Sequence, residues 1–107
     1  MSQRPPQPEN LTARQRKYLR GLTHHLQPVV IVADKGLSDN VMAEIESALD
    51  HHELIKVRLR TERQQRDVWA REIEDRCGAE RVHAIGQVVS YYRRNPEKQV
   101  VNLPESG

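Results

Sequence analysis

Residues 53–61 read Glu-Leu-Ile-Lys-Val-Arg-Leu-Arg-Thr. Ile55, Val57 and Leu59 alternate with Lys56, Arg58 and Arg60, which is the two-residue period of a half-buried β-strand. A strand that turns three cations to one side is either a sheet edge or an open surface able to receive anions. Upstream, Ser38 can cap a helix running to about His52, with Val41, Ile45, Ala48 and Leu49 inward and acidic residues outward. Its end carries His51 and His52. Before it, Val29-Val30-Ile31-Val32 reads as a short strand, and so unbroken an apolar run predicts cover on both faces or a central place in the sheet. Ala33-Asp34-Lys35-Gly36 joins this strand to the acidic helix.

Further out, Thr12 caps a first helix that runs to about His25 and is stopped by Pro28. Tyr18, Leu19, Leu22 and Leu26 share one face of it, and Arg16, Lys17 and Arg20 the opposite one. Downstream of the central strand, a third helix spans about Glu62 to Cys77, with Trp69, Ile73 and Cys77 on one arc and Gly78 as its stop. Arg81–Ile85 and Val88–Arg93 then form a hairpin around Gly86-Gln87. The order is α-β-α-β-α-β-β, an α/β fold with a four-stranded mixed sheet and packed helices.

The chain has 107 residues, which fits one domain with little volume for an enclosed cavity. Met1–Asn10, with Pro5, Pro6 and Pro8, is expected to be a disordered tail; residues 11–103 form the domain and 104–107 a C-terminal tail. Val100-Val101 either adds an edge strand or lies on the body. The net charge is +2, but its distribution is uneven. Residues 11–36 hold five cations against Asp34, and residues 37–53 hold five acids and no Lys or Arg. One basic and one acidic side suit a polyanion approached in a single orientation.

Several chemistries find no support. Cys77 is the one cysteine, which excludes an internal disulfide. Adjacent histidines point about 100° apart on a helix and chelate one ion poorly, so the pairs at 24–25 and 51–52 read as complements to helix C-termini. Cys77 lies on an apolar arc and reads as a core thiol. No nucleophile elbow, nucleotide loop or zinc signature is present, so no enzyme activity, metal, cofactor or small-molecule substrate is expected. The residues predict a cytoplasmic monomer with no membrane partner. The loop is more informative: lying between a strand and a helix N-terminus, it can present backbone N–H groups to a phosphate, and KH domains clamp RNA with a related glycine-bounded loop. An ordinary strand-to-helix turn is the competing reading.

Taken together, Leu19-Arg20-Gly21-Leu22, His25 to Val30, the loop, Glu53-Leu54-Ile55-Lys56-Val57 after an acidic helix, Ile85-Gly86 and Tyr92-Arg93 resemble the CRM-domain family, named for chloroplast RNA splicing and ribosome maturation, most of all its stand-alone bacterial YhbY-like members. The resemblance implies a fold related to the C-terminal domain of bacterial translation initiation factor 3. It implies RNA binding through the glycine loop and adjacent basic surface, and association with the precursor of the large ribosomal subunit. Two positions depart from the family pattern: Ala33 replaces the first loop glycine and Gln27 a frequent lysine. The expected RNA-binding residues are Arg14, Arg16, Lys17, Arg20, Ala33, Asp34, Lys35, Gly36, Lys56, Arg58 and Arg93. Tyr91 or Tyr92 either stacks on a base or packs in the core. The alternative function is a protein-interaction module of an assembly complex that uses the acidic second helix.

Overall fold

The computed structural model describes residues 11–105; the tail expected at residues 1–10 lies outside them. The elements follow in the expected order: α1 (Ala13–Thr23), β1 (Pro28–Val32), α2 (Asp39–His52), β2 (Leu54–Leu59), α3 (Arg63–Cys77), β3 (Glu80–Ile85) and β4 (Val88–Tyr92). The boundaries have local causes. The Thr12 hydroxyl accepts from the Gln15 amide while the Gln15 side chain accepts from the Thr12 amide, so two otherwise orphaned donors of α1 are satisfied reciprocally. Ser38 caps α2 through the Val41 amide. The Glu62 carboxylate caps α3 through the Gln64 and Gln65 amides, and Gly78 ends that helix at φ +64°, a conformation open to glycine at little cost.

The sheet order is β1-β2-β4-β3, with β1 parallel to β2 and the other pairs antiparallel. The cation-bearing strand, β2, is central, so of the two readings of its cations the sheet edge fails and the open surface remains, while the apolar β1, read as central or covered on both faces, is an edge. The α2 connection makes β1 and β2 parallel neighbours, while the β3–β4 hairpin adds on the far side of β2. β1 is also covered on one face only: Val30 and Val32 are buried, Val29 and Ile31 exposed.

Two cores result. On one face, Val30, Val32, Ile55, Val57, Leu59, Val89 and Tyr91 pack against Met42, Ile45 and Leu49 of α2 and Ala70, Ile73 and Cys77 of α3. Met42 joins the expected inward set, with Val41 and Ala48 only partly buried. On the other face a smaller core gathers Leu19 of α1 with Leu54, Val82 and Tyr92, flanked by Leu11, Leu22, Leu26, Val101 and Leu103. Each fully buried Leu, Ile or Val side chain contributes about 1.5–3 kcal/mol, so Leu19 is the main anchor of α1. Tyr18, expected inward, is exposed. Both Tyr91 and Tyr92 are core residues, and the Tyr91 hydroxyl donates to the Ala70 carbonyl at 2.9 Å.

The C-terminal segment lies on the body and forms no strand among the described residues. Its anchor is Glu53, which is fully buried at φ +62°. The Glu53 carboxylate accepts from the amides of Asn95, Val100 and Val101 at 2.7–2.9 Å. Glu53, counted in the acidic stretch 37–53, therefore serves as a buried structural anchor instead of adding to an acidic surface. No described helix is long and apolar enough to cross a membrane.

Candidate nucleic-acid interface

Strand register fixes which side chains share the face opposite α2 and α3, because residues directly opposed across a sheet point the same way. Three rows cross it. Leu54, Tyr92 and Glu80 form the first, and α1 covers this end of the sheet. Lys56, Ser90 and His83 form the second, and Ile31, Arg58, Val88 and Ile85 the third. The third row is uncovered: Ile31 is 53% and Ile85 65% exposed. α1 thus roofs one end of the face and leaves the third row as a floor about 14 Å across, set by the ~4.8 Å spacing of four strands.

The roof meets the floor at a cluster of cations. Burial, followed by the charges of Arg20, His24 and Lys56, holds the His83 imidazole below its ordinary value. Arg20 and His24 from α1 and Lys56 from β2 therefore all act on one point. His83 was missing from the sequence reading. A register irregularity between Arg81 and His83 breaks the alternation of β3, so its outward position is invisible to a two-residue period.

The structure brings Arg20, Lys56 and Arg58 together on this face. Lys17 stands one turn before Arg20 and is exposed, and Arg14 is exposed further round the helix. Arg16 does not join them. Its guanidinium bonds to the Arg81 carbonyl and to the Glu80 carboxylate at 3.3 Å, tying α1 to β3. The face of α1 that carries Arg16, Lys17 and Arg20 is thus partly a structural contact. Arg93 lies on the opposite side of the sheet, only 17% exposed, and grips Glu46 at 2.6 Å and Asp50 at 2.8 Å on α2. It also donates to the Cys77 carbonyl. Its partners make it a tie between β4 and α2.

The loop Ala33–Gly36 continues β1 beyond the third row and stands at the rim. Asp34 and Lys35 are exposed. The Gly36 amide donates to the Ala33 carbonyl at 2.8 Å, and Gly36 adopts φ +65° with its α-carbon side against the Trp69 ring. Glu53 is the one non-glycine at positive φ among the described residues, so Ala33 sits in ordinary backbone space. Alanine in place of the family glycine imposes no strain there. The α2 acids Asp39, Glu44, Glu46 and Asp50 belong to the other side of the sheet, and the His51 ring bonds back to the Ser47 carbonyl one turn earlier, at 2.7 Å.

Comparison with known proteins adds the following. The family model of the CRS1/YhbY (CRM) domain matches residues 11–93. A Haemophilus influenzae protein named "RNA-binding protein" is 40% identical over 91 residues, covering 84% of this chain and 92% of its own. A Pseudomonas aeruginosa protein named "Probable RNA-binding protein PA4753" is 43% identical over 88 residues, covering 81% and 85% respectively. Among solved structures, the solution structure of the hypothetical protein SAV1595 from Staphylococcus aureus superposes with a TM-score of 0.75 at 29% identity, covering 89% of this chain and all of that one.

Proposed function

Because the chain belongs to the CRS1/YhbY (CRM) domain family, we propose that it binds RNA, and that its target is ribosomal RNA in the precursor of the large ribosomal subunit. The observation that carries the reading is the sheet face opposite α2 and α3, where Lys56 shares the surroundings of His83 with Arg20 of α1, Arg58 follows Lys56 along β2, and the acids of α2 occupy the opposite side. Phosphate contacts from these cations supply affinity and orientation. Lys35 at the rim and Lys17 on α1 extend the positive surface in two directions, and the acidic back of the molecule disfavours the reversed approach. The relatives' names support the RNA-binding part of this reading. The rival use of α2 as a protein-docking face is weakened by Arg93, which already engages Glu46 and Asp50.

The test is binding to a large-subunit ribosomal RNA fragment across a salt series, for the wild type, Arg20→Glu/Arg58→Glu and Lys35→Glu. Wild-type binding that weakens with salt and collapses in the double variant is expected. A folded double variant that binds like wild type overturns this placement of the RNA surface. The effect of Lys35→Glu measures the share of the loop.

A further inference from the structure

The uncovered face exposes more aliphatic surface than phosphate binding needs. The third row reads Ile31, Arg58, Val88, Ile85 from one sheet edge to the other, with Ile31 and Ile85 mostly exposed and Val88 half-buried. The sequence of β1 is that of a strand covered on both faces, yet α1 packs chiefly on β2 and β3 and leaves β1 uncovered on this side. Neither the second row nor the uncovered third contains a carboxylate. The acid on this face, Glu80, lies in the row beneath α1 and is held by Arg16. The surface is therefore apolar strips interleaved with cations, and its ligand has to be polyanionic with apolar faces of its own.

We propose that this row is a platform for unpaired nucleotides, whose base faces lie on Ile31, Val88 and Ile85 while their phosphates reach Arg58, Lys56 and Arg20. The inference rests on the RNA-binding reading above and adds the class of RNA: single-stranded rather than duplex. A duplex keeps its base faces stacked inside and offers sugars and phosphates, which gain nothing from isoleucine. Unpaired bases carry exposed flat faces that lose water on an apolar floor. The two core tyrosines leave the stacking surface of this sheet aliphatic, so contact is by packing and carries little base preference.

The test uses the full chain with a single-stranded RNA of about 12 nucleotides, within the usual range of such sites, and a duplex of equal length. Single-strand binding about tenfold tighter than duplex binding is expected, and Ile31→Ser/Ile85→Ser, both at exposed positions, should lower single-strand affinity by about tenfold at unchanged salt slope. Methyl spectra of the wild type give an independent reading: the Ile31 and Ile85 δ1 methyls should shift upfield under base ring currents. Equal affinity for the duplex, or a double variant that binds single strands like wild type with methyls unmoved, overturns the platform. If the Arg20→Glu/Arg58→Glu variant loses binding in that same experiment, the RNA reading survives without it. A wild type that binds neither RNA, but captures an acidic peptide, overturns both.

Discussion

At the residue scale, Glu53 and His83 are the two side chains whose roles are set by their surroundings rather than their type. Glu53 holds a positive-φ backbone, φ 62° and ψ −41°, whose sparse population costs about 1–3 kcal/mol, which three accepted amide bonds outweigh, since bonds to a charged acceptor contribute about 1.5–3 kcal/mol each. Glu53→Gln keeps the shape but removes one acceptor oxygen and sets an NH2 against an amide. A loss of about 2–3 kcal/mol in urea unfolding is expected. His83 has the opposite character, a titrating group among fixed cations. Its folded value lies below the ordinary imidazole value of 6.5, so the unfolded chain binds more protons and this residue's contribution to stability falls as pH drops through about 6.5. A bound phosphate relieves the repulsion, so RNA binding takes up a proton and tightens as pH falls over the same window. NMR titration of the His83 ring should show a rise in its pKa on adding RNA, and a rise in the free protein for Arg20→Gln.

At the element scale, the loop and the C-terminal segment behave differently from what their sequences suggest. Gly36 needs its left-handed φ, and an added Cβ would stand 3.4 Å from the Trp69 ring, so Gly36→Ala should cost about 1–2 kcal/mol, read by thermal unfolding. Ala33→Gly restores the family residue at a position that does not require it. It should leave RNA affinity unchanged and lower stability by about 0.5 kcal/mol through the unfolded chain. The C-terminal segment lies beyond the matched residues 11–93, yet Val101 and Leu103 flank the α1 core and the Pro104 carbonyl accepts from the Gln15 side chain. Ending the chain after Arg94 strips Glu53 of three donors and opens that core. A loss of at least about 3 kcal/mol is expected, with α1 amides exchanging faster than those of α2.

At the scale of the whole molecule, charge is sorted by the sheet: Arg20, Lys56 and Arg58 on one side, the α2 acids on the other. Arg20→Gln/Arg58→Gln should flatten the logarithmic salt slope of single-strand binding by about 1.4, at ~0.7 per phosphate contact. Asp39→Asn/Glu44→Gln should leave that slope unchanged, and a large effect would move the binding surface to α2. The sequence by itself determined the element order, the caps at Thr12 and Ser38, the stop at Gly78 and the alternation of β2, because each depends on neighbours within a turn or a strand. Tertiary structure alone decided the rest. It made β2 central and β1 an edge, withdrew Arg16 and Arg93 into ion pairs with Glu80, Glu46 and Asp50, buried Glu53, and turned His83 outward. An exposed cation and a paired one have the same local pattern; what separates them is whether a carboxylate distant in sequence is folded within reach, and that is a property of strand order and register.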